Sequence, residues 1–134
     1  MTVLYVDTSA LLKRVIVEPE SGVVRALLGA RHDAGDLLTA SSITWIEVWR
    51  SLRRALLVDV EVLFEAALSG MAEFPLGDAV LARARRVGRD ELRSLDAIHL
   101  ASAIAVGADS ILTYDNRLAG AAAAVGLAVL SPAA

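Results

Sequence analysis

Short β-rich runs alternate with longer helical stretches along this chain, and nowhere do two such runs meet across the brief Gly- or Asn-containing turn of a hairpin. The strand-like runs are residues 2–6, 37–40, 110–114 and 127–130. Helical character occupies 10–15, 23–31, 42–57, 59–74, 78–89, 95–106 and 117–125, with breaks at Pro19, Ser21-Gly22, Pro75-Leu76-Gly77, Gly107 and Gly126. Strands joined through helices must cross over and lie parallel. The pattern therefore predicts an α/β fold of three layers, a mostly parallel central sheet with helices on both faces. At 134 residues, with no repeat or linker, residues 1–134 form a single domain in this reading. Stretches 59–74 and 78–89 are expected to pair with each other. The AGAAAA run at 119–124 reads as packed helix, because Ala is the best helix former.

Composition removes several kinds of chemistry. Hydrophobic residues make up 56% of the chain, which excludes disorder. The absence of cysteine excludes disulfides, thiolate metal sites and a thiol nucleophile. The only lysine, Lys13, lies in no phosphate-binding loop motif. The opening MTVLYVD is too short for a signal peptide, and the apolar stretch 118–130 is too short to span a bilayer. A soluble cytoplasmic protein with no membrane contact is expected. A net charge of −3 argues against a surface that coats polyanions generally. Two local arginine clusters remain, Arg50, Arg53 and Arg54, then Arg83, Arg85, Arg86, Arg89 and Arg93. They are either solvated helix faces or a track for an RNA backbone.

In a parallel sheet, ligands gather at the carboxyl ends of the strands. Asp7 and Asp115 directly follow strand-like runs, Asp96 falls in the first turn of a helix behind Ser94, and Glu47 sits mid-helix between Ile46 and Val48. Each has an ordinary structural role open to it: helix cap, favourable charge at a helix dipole, or a pair with Arg50. Four acids in strongly apolar sequence, directed at one sheet edge, need a cation. Hard oxygen donors suit Mg²⁺, with Mn²⁺ as a substitute, and point to phosphate ester hydrolysis. Converging carboxylates also repel, so neutralising Asp7 or Asp96 should leave metal-free stability unchanged or higher. His99 reads as a core residue and His32 as a solvated loop residue, too few for paired-histidine acid–base cleavage and in favour of metal-activated water. Trp45 and Trp49 are neighbours at i,i+4, either packed in the core or anchoring an interface.

The segments VLYVDTSALLK, ITWIEVWR, LRSLDAIHLASA and ILTYDNRLAGAAAAVGLAVL, in that order, resemble the motifs of PIN-domain ribonucleases, and among them most the VapC toxins of toxin–antitoxin pairs. The resemblance runs through nearly the whole chain. It implies a PIN-like three-layer domain and a Mg²⁺-dependent endoribonuclease that acts on RNA and is restrained by a cognate antitoxin protein. Asp7, Glu47, Asp96 and Asp115 fall on the family's acidic quartet, as catalytic and metal-holding residues. Thr8, Ser9, Thr113 and Asn116 would be supporting polar groups. EVWR departs from the more usual Glu-Leu, yet Arg50 keeps its spacing from Glu47. A homodimer is expected, and an antitoxin covering apolar surface near Trp45 and Trp49. Two alternatives stay open: a catalytically inactive PIN-like protein- or RNA-binding module, and an aspartyl phosphotransfer domain built on Asp7-Thr8-Ser9. The second lacks a second Asp in a DxD motif and a lysine after a later strand.

Overall fold

In the computed structural model, which describes residues 1–134, five strands form one parallel sheet: β1 (Val3–Val6), β2 (Leu37–Ser41), β3 (Ala72–Phe74), β4 (Ser110–Leu112) and β5 (Ala128–Leu130). Their spatial order is β3-β2-β1-β4-β5. β1 lies at the centre, with Tyr5 opposite Thr39 on one side and Ile111 on the other. From β1 the chain builds outward to β2 and β3, then returns to add β4 and β5 on the opposite flank. The order therefore reverses between β1 and β4, and the carboxyl edge at that point is where a sheet of this kind opens a crevice.

The pleat divides the interior in two. Leu4, Tyr5 and Val6 are all fully buried, but successive side chains point to opposite faces. Leu4, Val6 and Leu112 join the larger core with residues of α1 (Thr8–Leu12), α2 (Ser21–Asp33), α3 (Ser42–Arg54) and α4 (Val60–Ala67). Tyr5 and Ile111 face the smaller core with Leu100 and Ala103 of α6 (Ser94–Ala105) and Leu118 and Ala122 of α7 (Asn116–Ala124). This is the expected three-layer arrangement. No helix is long and apolar enough to cross a membrane.

Local differences from the sequence reading have physical causes. The stretch 59–74 is not one helix: α4 ends at Ala67, Gly70 turns the chain with φ +77°, and Ala72–Phe74 adds the edge strand β3. α5 (Asp78–Ala84) packs against α6 and α4 against α3, so the expected pairing of stretches 59–74 and 78–89 is replaced by two others. Ser41 caps α3 by accepting from the Ile43 N–H, as expected. Asp59 instead takes a left-handed conformation with no capping bond, and Ser94 is the first helical residue of α6 rather than its cap.

Candidate active site

Asp7 and Asp115 hang from the central strands. Asp7 follows β1 and caps α1, and its backbone N–H donates to the Leu112 carbonyl of β4 at 2.9 Å. Its Oδ2 accepts from the Ser9 hydroxyl at 2.7 Å, the Thr113 hydroxyl at 2.9 Å and the Ser9 N–H at 3.4 Å. The two hydroxyls also accept, Ser9 Oγ from the Tyr114 N–H and Thr113 Oγ1 from the Asp115 N–H. Each therefore joins the carboxylate after β1 to the backbone after β4. Asp115 caps α7 through Oδ1, which accepts from the N–H groups of Arg117 and Leu118 at 2.9 and 3.2 Å. Its second oxygen is free of these bonds. The helix-cap roles open to Asp7 and Asp115 are thus filled, and one oxygen of each remains for other work.

α6 supplies the other wall. Asp96 lies in its first turn and His99 one turn on, so the two share a face. Asp96 is 8% exposed, and its carboxylate oxygens are not among the sealed, unpartnered polar atoms of the interior, which are the hydroxyls of Thr44 and Ser102. Burial first, then the charges of Asp115 and Asp7 and hydrogen bonding with Asp115, hold its carboxyl above the ordinary range, with His99 opposing. Its charged form is disfavoured chiefly by burial and by the neighbouring carboxylates.

Glu47 enters from α3 and is tied down differently. Its Oε1 accepts from the Thr8 hydroxyl at 2.9 Å and lies 2.6 Å from His99 Nε2. On its other side His99 Nδ1 is 2.7 Å from the Tyr5 hydroxyl, whose oxygen accepts the Ser41 N–H at the start of α3. With Tyr5 donating to Nδ1, the Nε2–H of a neutral ring donates to Glu47. Asp7 Oδ1 is 3.6 Å from the same nitrogen. Burial opposes charge on His99, but Glu47, Asp7 and Asp96 together raise its pKa. Burial likewise opposes ionisation of Glu47, and His99 and Thr8 outweigh it to lower that pKa.

All four sequence-predicted acids thus meet at the expected edge, as a coupled trio of Asp7, Asp96 and Asp115 with Glu47 joined to it through His99. Thr8, Ser9 and Thr113 bond directly to the acids, while Asn116 is exposed and makes no such bond. His99 is the residue the sequence reading undervalued: it is buried, as expected, and also the link between Glu47 and Asp7. Its spacing of three from Asp96 was the available signal. Trp45 and Trp49 are both half-buried, Trp45 packed against the larger core and Trp49 meeting Phe64 edge-on at 5.3 Å. Ile46, Leu56, Val58 and Val62 are the exposed apolar residues of this region. Both arginine clusters are solvent-exposed.

No three of these acid and histidine side chains form a ready cage around one ion. The donor set nevertheless fits a hard divalent cation that keeps most of its waters and uses only one or two carboxylates directly. Asp96, whose pKa the charges of Asp115 and Asp7 raise, is the position that fits it best.

The PIN domain family profile matches residues 4–124. Ribonuclease VapC47 of Mycobacterium tuberculosis is 35% identical over 133 residues, covering 98% of both chains. Ribonuclease VapC46 of the same species is 37% identical over 137 residues, covering 98% of this chain and 99% of the relative. Among solved structures, M. tuberculosis VapC20, a sarcin–ricin loop cleaving toxin, superposes with a TM-score of 0.75 at 18% identity, covering 96% of this chain and 99% of that one. VapBC2 from Rickettsia felis, bound to a promoter DNA fragment, gives 0.74 at 14% identity, covering 96% and 98%. At those identities the structural likeness speaks to the fold.

Proposed function

This chain belongs to the PIN-domain family, and from that premise we propose that it is a Mg²⁺-dependent endoribonuclease, the toxin of a toxin–antitoxin pair, with Asp7, Glu47, Asp96 and Asp115 as its catalytic and metal-holding residues. The observation that carries the reading is Asp96, little exposed and close enough to Asp115 and Asp7 for their charges to raise its pKa. Such a group favours a cation as strongly as it disfavours being left alone.

Of Asp7, Asp96 and Asp115, one or two would hold the ion directly and the rest through its waters, Asp7 and Asp115 offering the oxygens their capping bonds leave free. Mg²⁺ or Mn²⁺ bound there supplies Lewis acidity toward water and phosphate oxygens. The protein supplies orientation. Ser9 and Thr113 fix the Asp7 carboxylate, and His99 and Thr8 occupy one oxygen of Glu47 so that the other can accept a hydrogen bond from the attacking water. Attack by water in line leaves a 5′-phosphate and a 3′-hydroxyl. His99 is held between Tyr5 and Glu47, and His32 is exposed in α2, so no histidine pair stands ready to activate a 2′-hydroxyl.

The alternatives fare worse. A binding module has no use for carboxylates set so close that Asp115 and Asp7 raise the pKa of Asp96. Lys13, the one lysine, is engaged by Glu18 at 2.8 Å and Glu20 at 3.1 Å, away from any role beside a phosphorylated aspartate. As partners we propose RNA, a second copy of the chain, and an antitoxin covering the apolar surface around α3 and α4, where Leu56, Val58 and Val62 are exposed beside the half-buried Trp45 and Trp49. The test is end-mapping of RNA cut by purified protein with Mg²⁺ or with EDTA. Ends carrying 5′-phosphate, made only with the ion and lost in Asp96→Asn, are expected. Cleavage undiminished by EDTA, or 2′,3′-cyclic phosphate ends, refutes the mechanism.

A further inference from the structure

Beside the acidic centre lies a cavity of about 620 Å³, between the segment 88–92 and one side of α7. Its two walls continue the chain segments that carry the acids. The segment 88–92 runs into α6, whose first turn holds Asp96, and Asn116, on the cavity's edge, directly follows Asp115. The cavity's Asn116 edge adjoins Asp115, so a polymer whose phosphate sits at the Asp96–Asp115 pair can extend from there toward the cavity. The lining is apolar below, with Leu92, Ala121 and Ala124, and carries two cations, Arg89 and Arg117, against one acid, Glu91. An apolar floor with guanidinium groups at its rim suits a planar base attached to a phosphodiester. The volume falls within the roughly 300–1,000 Å³ of small-molecule sites.

Gly120 completes the floor. It lies inside α7, where glycine is disfavoured, and a Cβ built there meets nothing within 4 Å. Neither a close approach nor an unusual backbone angle requires the glycine; its effect is to leave room.

We propose that this cavity is a nucleotide subsite that holds one residue of the RNA flanking the scissile phosphodiester, with the base on the Leu92–Ala121–Ala124 floor and a phosphate near Arg89 and Arg117. The proposal rests on the ribonuclease reading and adds to it the place where sequence preference at one position arises.

The test measures binding apart from cleavage. A fluorescein-labelled 2′-O-methyl hexanucleotide of mixed sequence is titrated into the full chain with Mg²⁺ and read by anisotropy. Gly120→Leu starts from a Cβ that meets nothing within 4 Å, directs its side chain into the cavity and favours the helix, so its melting temperature should match or exceed the parent's. Its Kd should rise by roughly tenfold, the scale of one lost base-stacking site. Arg89→Ala with Arg117→Ala should weaken binding and flatten its salt dependence. RNA cut by Gly120→Leu should show relaxed preference at one position beside the cut. Unchanged Kd and unchanged cut sites in folded Gly120→Leu overturn the proposal while leaving the nuclease reading intact. So does a loss confined to antitoxin binding, which would give the cavity to the protein partner. Oligonucleotide binding that is lost on filling the cavity, in a parent that cuts no RNA with any divalent ion, refutes the nuclease reading alone.

Discussion

Replacing Asp96 by Asn should make the metal-free protein more stable while abolishing cleavage, and replacing Asp7 by Asn should make it less stable. Asp96 is little exposed, and burial, the charges of Asp115 and Asp7 and hydrogen bonding with Asp115 all disfavour its ionised form. Two unit charges about 4 Å apart repel by roughly 1 kcal/mol in water and about 4 kcal/mol at the effective dielectric of a protein surface. The amide keeps the volume but must bury its own polar atoms, so a net gain of about 1–2 kcal/mol is expected. In a domain of this size that is roughly 3–8 °C. Asp7 is the opposite case. Its Oδ2 is the acceptor for three donors, two of them hydroxyls whose other bonds hold the backbone of residues 114 and 115. Making that acceptor neutral weakens all three bonds, for a loss of about 1–2 kcal/mol. Saturating Mg²⁺ adds a second comparison, since an ion at a hundred times its Kd stabilises the parent by about 2.7 kcal/mol and should do less for either variant. Melting curves in EDTA and in Mg²⁺, with circular dichroism as the readout, decide this. A marked fall in the EDTA-treated Asp96→Asn protein would refute the reasoning, because it would make Asp96 a paired or capping charge.

Asp115→Asn should lose cleavage yet keep its metal-free melting temperature within a degree or two, since Asn caps a helix nearly as well as Asp; a large drop would place the charge itself in the fold. His99→Leu strands the buried Tyr5 hydroxyl and removes a donor from Glu47, and should cost about 2–4 kcal/mol as read by urea denaturation. Stability of the metal-free protein should fall as pH rises from mildly acidic to alkaline. The raised pKa of His99 gives a stabilisation present below 6.5 and lost as pH climbs through the folded-state value. The raised pKa of Asp96 gives a penalty that grows above 3.8 and is complete once that carboxyl ionises. Glu47, with its lowered pKa, acts on the acid side, stabilising above 4.5 and losing that contribution as pH falls. Urea midpoints across pH should show Asp96→Asn flattening the lower part of the decline and His99→Gln the upper; a parent whose midpoint rises toward pH 9 would contradict both assignments.

Three of the four strands that proved legible are buried, and the half-exposed β5 is the fourth. β1, β2 and β4 are short runs of apolar residues ended by polar ones, and β5 follows the break at Gly126. β3 is three residues, Ala-Glu-Phe, largely exposed at the sheet's edge, and nothing in so short a run distinguishes it from the end of a helix. Gly70 was the available hint, a left-handed position where α4 had to stop. The acids were legible because local sequence puts them after strands or at a helix start. Their differences were not. Asp7 and Asp96 look alike in sequence, and only the hydroxyls of Ser9 and Thr113, the second of them 106 residues away, separate the satisfied carboxylate from the one its neighbours disfavour. His99 was legible as a buried residue, but its partners Tyr5 and Glu47 are 94 and 52 residues distant, and pairings across such separations are a property of the sheet order.

Tyr5 ties that sheet order to heredity. Its ring fills the smaller core and its hydroxyl holds both His99 and the first turn of the helix that carries Glu47. A change at residue 5 is therefore felt twice, once as a packing defect and once as a misplaced carboxylate. Phenylalanine would keep the first function and lose the second. A chain that drifted through Tyr5→Phe would keep its packing and carry a loosened acidic centre. An intact fold with an impaired centre is thus a single nucleotide change away, without passing through an unfolded intermediate.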